Sequence, residues 1–319
     1  MLGLISFGGP TAHIGFLYQK FVNDLNWFSE GDFFELVSIC QFFPGPTSSQ
    51  VVYAIGLIRV GFFGGLLAWI GFILPSAFLM IAFAYGVNII SANNQFGFID
   101  GMISVSIPVV GIAIWRMSRS FCVDKIHWVI VCVAVILLII LGSAVGHVTV
   151  ILVGLILGLF IKTRKKDYGR SQIEFFLGDR VATYLLILFF SVLMIAYILS
   201  LIDIPSNLKL FASLYKSGAL VFGGGHVVLP LLQADFVPTG LLSEKQFFAG
   251  YGGAQAIPGP LFSFVSYCGA LMQLPNKNIW VPGIFGFLCL ILIYLPTFFL
   301  IPSSLWFWSR LRDKPKIQL

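Results

Sequence analysis

Two short motifs place polar and helix-breaking residues between long apolar runs. Gln41-Phe42-Phe43-Pro44-Gly45-Pro46 leads into Thr47-Ser48-Ser49-Gln50, and Gln255-Ala256-Ile257-Pro258-Gly259-Pro260 leads into Ser263. Proline removes backbone donors and breaks a helix, whereas Ser and Thr are N-cap residue types. A helix restarting after each break presents unpaired N–H groups at the positive end of its dipole, where an anion is favoured. Gln41 and Gln255 can donate amide N–H to an oxyanion or bind the freed backbone. The glycines of Phe7-Gly8-Gly9 and Phe222-Gly223-Gly224-Gly225 let the backbone approach a ligand or another helix closely. His13 and His226 follow these clusters; each can donate to an oxyanion, couple to pH, or simply pack. Arg59 and Lys216 are the basic residues a buried anion could use, although Arg59 also fits a snorkelling interfacial role.

The acidic candidates divide in two. Glu30 and Glu244 recur in equivalent places and could couple to protons, but Ser29-x-x-Asp32 and Ser243-x-x-Gln246 read as helix N-caps, which puts each Glu in a first turn near the dipole's positive end. Asp100, inside an apolar run, is the stronger coupling candidate. The five cysteines are scattered without a CxxC pair and read as small packing residues. No HExxH or similar constellation occurs, so a membrane enzyme acting on lipid-linked substrates is the weaker alternative. No catalytic residue, metal site or cofactor is expected.

These residues must be carried by elements in a bilayer. Of 319 residues, 58% are hydrophobic and 10% charged, with 19 Lys+Arg against 13 Asp+Glu. Mean hydropathy is +0.97. A soluble domain carries about 25% charged residues, so a soluble enzyme and a disordered chain are both excluded. Apolar runs long enough to span occur at 61–87, 96–115, 183–204 and 280–302, and 128–161 divides into two short passes at Gly142–His147. Neither end reads as a cleaved signal peptide. Thirteen of the 19 basic residues fall in three clusters, at 116–125, 162–180 and the C-terminal tail. The positive-inside rule places 116–126, 162–180 and the C-terminus in the cytoplasm. Reading the Lys162–Lys166 run as a nucleic-acid patch is weak.

The chain also repeats itself. The Ser-Glu, Phe and Gln-x-x-Pro-Gly-Pro elements recur at an offset of 214, and Leu74-Pro75 recurs as Leu295-Pro296 at 221, implying a seven-residue insertion near Gln273–Ile279. The charge-derived topology sends 61–87 and 280–302 in opposite directions, making the repeats inverted, as in secondary transporters with a midplane site at the repeat interface. The fold expected is an all-α integral membrane protein, a polytopic helical bundle of two inverted-topology repeats with Pro-Gly-Pro-broken half-helices. Its parts are a first repeat with a following hairpin at 1–161, a basic loop at 162–182 and a second repeat at 183–319.

These motifs resemble the chromate ion transporter family. The matching stretches are Phe7-Gly8-Gly9-Pro10 with Ala12-His13-Ile14, Pro44-Gly45-Pro46 leading to Ile55-Gly56 and Gly61, and Leu74-Pro75-Ser76. In the second half they are Phe222-Gly223-Gly224-Gly225-His226 through Leu229-Pro230, and Gln255 through Pro260. The family has more of an N-terminal helix than the Met1–Ile5 that precede Ser6 here. The resemblance implies efflux of chromate, a tetrahedral dianion, from the cytoplasm, giving chromate resistance. Sulfate or another oxyanion is the rival substrate. The expected partners are the oxyanion, the bilayer and a second copy in a homo-oligomer.

Overall fold

The computed structural model describes residues 2–6, 9–92, 124–141, 177–202, 205–222, 228–274 and 280–311, with isolated positions between 97 and 122 and between 149 and 175, and Asn278. The chain divides into two compact units, Met1–Ile107 with Gly169–Leu319, and Pro108–Tyr168. In the second, Lys125–Leu141 forms one apolar helix, α5. Every regular element among the described residues is helical.

The first unit opens with α1 (Leu2–Ile5) and α2 (Gly9–Tyr18), which runs into a π-helical stretch, Gln19–Asp24. α3 (Glu30–Phe42) ends at the first Pro-Gly-Pro, and α4 (Thr47–Ala92) begins directly after it. α4 bends sharply at Gly61, whose φ of 76° and ψ of −163° are accessible mainly to glycine. After α6 (Asp179–Leu201), the same plan returns. α7 (Ser206–Leu220) and α8 (Val228–Phe236) flank the second glycine cluster, and α9 (Glu244–Ala256) ends at the second Pro-Gly-Pro. A 3₁₀ turn, Leu261–Ser263, then enters α10 (Phe264–Gln273), and α11 (Trp280–Leu311) closes the unit.

Local sequence sets these boundaries. α3 and α9 each have 13 residues. The Ser29 hydroxyl accepts from Asp32 N–H at 3.1 Å, and Ser243 and Gln246 form a full capping box. Both helices end where the prolines withdraw backbone donors.

Among the described residues, three helices are long and apolar enough to cross a membrane: Thr47–Ile89, Asp179–Leu201 and Trp280–Arg310. α6 shows why lipid is their solvent. It buries a thin stripe, Ala182, Phe189 and Ala196, while Leu186, Ile187, Phe190, Met194 and Ile198 stay exposed. An apolar surface of that extent is stable only in hydrocarbon. Its buried stripe packs on Ala212, Tyr215 and Ala219 of α7 and Leu300 of α11. Polar glue crosses the same interface, with Tyr215 O–H donating to Phe189 O at 3.0 Å and Ser303 O–H to Ala182 O at 3.0 Å. Asp179 and Arg310 pair at 2.5 Å, so α6 begins at the end where α11 finishes. The expected span 96–115 falls largely outside the described residues, as does the loop 161–174.

Candidate functional site

Each break turns on one glycine. Gly45 has φ 131° and Gly259 φ 121°, the left-handed region that disfavours a side chain. Flanked by prolines, each glycine carries the sole N–H of its triplet, and that N–H leaves its own repeat. Gly45 N–H donates to Val221 O at 2.7 Å, and Gly259 N–H to Ser6 O at 2.8 Å. Val221 and Ser6 each stand just before a Phe-Gly-Gly cluster.

A second reciprocal pair lies beside them. Thr297 Oγ1 is 3.4 Å from where a Gly45 Cβ would stand, and Ser76 Oγ is 2.7 Å from the corresponding point at Gly259. Ser76 and Thr297 follow the two Leu-Pro steps of the repeat. Within each half, Gly3 packs directly on the Phe72 carbonyl, and Gly218 on the Ile293 carbonyl. In the sequence Ser76 stands out only as the end of the Leu74-Pro75-Ser76 stretch, and Thr297 not at all; the recurring Leu-Pro step is the signal that points to both.

The restarted helix after the first break is polar and buried: Thr47, Ser48, Ser49 and Gln50 are all at most 5% exposed. Gln50 N–H makes the first backbone bond, to Pro46 O at 2.9 Å, leaving the N–H groups of Thr47, Ser48 and Ser49 ahead of it. Ser49 Oγ pairs with Tyr294 O–H at 3.1 Å, and Gln50 Nε2 donates to Pro44 O at 2.7 Å. At the second break Ser263 turns its hydroxyl back to Pro260 O at 2.7 Å.

His13 is buried beside the first restart. Its Nε2 lies 3.0 Å from Ser6 O and its Nδ1 3.3 Å from Ser48 Oγ. A carbonyl only accepts, so Nε2 carries the proton and Nδ1 accepts from the Ser48 hydroxyl in the neutral ring. Both nitrogens are thereby occupied within the protein.

The cations sit elsewhere. Arg59 is exposed, with its guanidinium 4.9 Å over the Trp27 ring and 5.9 Å from Phe28. It lies about 18 Å along the helix from Thr47, at 1.5 Å per residue. The two arms leaving the first break therefore meet again at their far ends. Lys216 stands beside Asp235, which also accepts from Ser217 O–H at 3.2 Å. Burial raises the Asp235 carboxyl above the usual carboxylate range, opposed by Ser213, Lys216 and Ser217.

Of the remaining candidates, Gln41 is exposed and Gln255 half-buried. Glu30 and Glu244 are exposed in the first turns of α3 and α9. Gly9 opens α2 with φ 80°. Gly8, Gly223, Gly224, His226 and Asp100 lie outside the described residues. Among the described residues no group of three or more His, Cys, Asp or Glu could hold a metal ion.

A family profile described as "Chromate transporter" matches residues 1–159 and 208–319. The chain is 27% identical over 287 residues to a chromate transport protein of Pseudomonas aeruginosa, covering 84% of this chain and 63% of that protein. It is 26% identical over 280 residues to a chromate transport protein of Cupriavidus metallidurans, covering 85% and 65%. A probable chromate transport protein of Synechococcus elongatus is 26% identical over 275 residues, covering 85% and 67%. The chain thus spans about two thirds of the length of these relatives. No solved structure matches it.

Proposed function

Because this chain belongs to the chromate transporter family, we propose that it exports chromate, a tetrahedral oxyanion, across the cytoplasmic membrane by alternating access between two inverted repeats. The first repeat and its following hairpin occupy 1–161, the basic loop 162–182, and the second repeat 183–319. The observation that carries this reading is the crossed pair of bonds, Gly45 to Val221 and Gly259 to Ser6. Contacts exchanged in this way are those of a two-fold relation between halves. Transporters built from inverted repeats place their site at such an interface, on discontinuous helices.

The anion is held between the breaks by backbone N–H groups at Thr47 and Ser48 and by the Gly45 and Gly259 turns. Gln255 and Ser263 serve from the second break, and the glycine clusters 8–9 and 223–224 give the backbone close approach. His13 positions Ser48, and His226 is its counterpart. Arg59, where the two arms of the first break reconverge, draws anions to the mouth, with Gln41 beside that path; Lys216 adds positive charge on α7. Asp100, Glu30 and Glu244 are the candidates for proton coupling. The loops 116–126 and 162–180 and the C-terminus face the cytoplasm. The Asp179–Arg310 pair supports a common side for the last two. The inside-negative potential then drives the anion outward by about 2.3 kcal/mol per charge per 100 mV.

Chromate flux into inside-out proteoliposomes, with sulfate as competitor, tests the reading. Saturable chromate flux is expected for the wild type, and Arg59→Ala should raise the apparent KM about fivefold with kcat little changed, as for a cation that steers rather than ligates. No oxyanion flux would sink the reading.

A further inference from the structure

The two breaks are built alike but are not equally satisfied. Ser76 Oγ, beside Gly259, donates to Ile73 O at 2.9 Å. Thr297, its counterpart beside Gly45, is 1% exposed, and its Oγ1 has no hydrogen-bond partner. This is unusual for its own helix. Ser304 of α11 donates to the carbonyl four residues back at 2.7 Å, and Ser303 shares its hydroxyl between Phe299 O, four residues back at 2.8 Å, and Ala182 O. The same carbonyl for Thr297 would be Ile293 O, which is pressed against Gly218. Its hydroxyl is therefore turned away from the helix and toward the first break.

An unpaired acceptor shares that place. Gln50 is 0% exposed and its Oε1 has no partner. The amide cannot be reversed, because Nε2 is needed to donate to Pro44 O, which only accepts. The point where a Gly45 Cβ would stand is met first by Gln50 Nε2, with Gln50 Cδ at 3.0 Å and Thr297 Oγ1 at 3.4 Å, so the Gln50 amide and the Thr297 hydroxyl flank the same turn. A buried donor and a buried acceptor left open together are costly and call for a ligand offering both functions.

A dianion such as sulfate offers acceptors alone, and facing Gln50 Oε1 it would meet repulsion. A singly protonated tetrahedral oxyanion carries bare oxygens and one hydroxyl. We propose that the first break binds the singly protonated oxyanion, with Thr297 O–H donating to a bare oxygen and Gln50 Oε1 accepting from its hydroxyl. This rests on the oxyanion-transport reading and adds the ground for its selectivity. Chromate takes up a proton in the neutral range, whereas sulfate does so only in strong acid. An unpaired acceptor thus rejects sulfate by leaving a lone pair against a lone pair, the kind of discrimination that polar sites perform best. The bound species keeps one negative charge, so the membrane potential still favours its export.

Among the described residues, two titratable side chains bond the restarted helix, His13 through Ser48 and Tyr294 through Ser49. Of the charges on neighbouring elements, Lys216 of α7 faces Asp235, Glu35 of α3 meets Trp308 of α11, and Arg59 of α4 stacks on Trp27.

The test is equilibrium binding of micromolar chromate to the purified full chain in detergent, across the mildly acidic to mildly alkaline range, with sulfate as competitor. The expected affinity falls about tenfold per pH unit on the alkaline side of chromate's own titration, as one-proton linkage requires. Sulfate should fail to compete at any pH. Thr297→Val, which keeps the shape and loses the hydroxyl, should weaken chromate binding by about tenfold or more without lowering the melting temperature, and Thr297→Ser should bind within about threefold of wild type. His13→Gln should keep the pH profile. A pH-independent affinity, equal competition by sulfate, wild-type binding by Thr297→Val, or a profile that vanishes in His13→Gln would each overturn the proposal while leaving oxyanion transport standing. Absence of any chromate binding by the wild type would remove both.

Discussion

The Gly45 N–H donates to the Val221 carbonyl at 2.7 Å, tying the tip of the first break to the end of α7 in the other half of the chain. The Gly259 N–H to Ser6 bond, at 2.8 Å, returns the connection. With proline on both sides, neither glycine has a neighbouring donor to spare, so each bond satisfies the one N–H of a tip that is buried at Gly45 and half-buried at Gly259. In the proposed reading, the anion site and the structural closure share these few atoms.

Alanine at either tip should therefore be severe. At Gly45 a Cβ would meet the Gln50 amide, and at Gly259 it would stand 2.6 Å from Ser76 Cβ, with φ positive at both. Strain and overlap together should cost about 2 kcal/mol or more. Thermal melts of Gly45→Ala and Gly259→Ala in detergent should both shift well below wild type. A melt unchanged from wild type would show that the tips are not tightly held.

His13 is engaged through both ring nitrogens, to Ser6 O and Ser48 Oγ. His13→Ala leaves a buried carbonyl with one donor fewer and a buried hydroxyl unpaired, a loss of about 1–3 kcal/mol. His13→Gln, which restores a donor, should recover part of that stability. A His13→Ala protein as stable as wild type would contradict the bonding described.

Asp235 makes a pH prediction with a definite sign. Its folded carboxyl is raised from the ordinary 3.8 by burial. The folded state then holds the proton more tightly than the unfolded chain, and stability is lost as pH climbs from the ordinary value through the raised one. Asp235→Asn should melt above wild type at neutral pH, and the difference should close on acidification. A wild-type advantage that grows with pH would mean that Lys216 outweighs burial.

Orientation can be read by labelling. Asp167→Cys and Lys316→Cys should react with an impermeant maleimide only from the cytoplasmic face, and Asn93→Cys only from the other. The background is a variant lacking the native cysteines, because Cys132 is exposed. Labelling of 167 and 316 from opposite faces would refute the inverted arrangement.

The sequence by itself determined the parts whose causes are local. Apolar runs made the long helices, Ser29 and Ser243 capped α3 and α9, and the Pro-Gly-Pro triplets set where those helices stop, because capping and proline chemistry act within four residues. The offsets of 214 and 221 also announced a second copy of the same plan. What only the tertiary structure decided is which residues of one copy reach the other. Thr297 lies at Gly45, Ser76 at Gly259, and Tyr294 on Ser49 across 245 positions of sequence. Lys216, a cation with no evident partner in the sequence, stands beside Asp235, and Arg59 stacks on Trp27 at the far end of its helix from the break. Long-range contacts of this kind depend on how whole helices dock, and docking follows the summed packing of many side chains and carries no local signature.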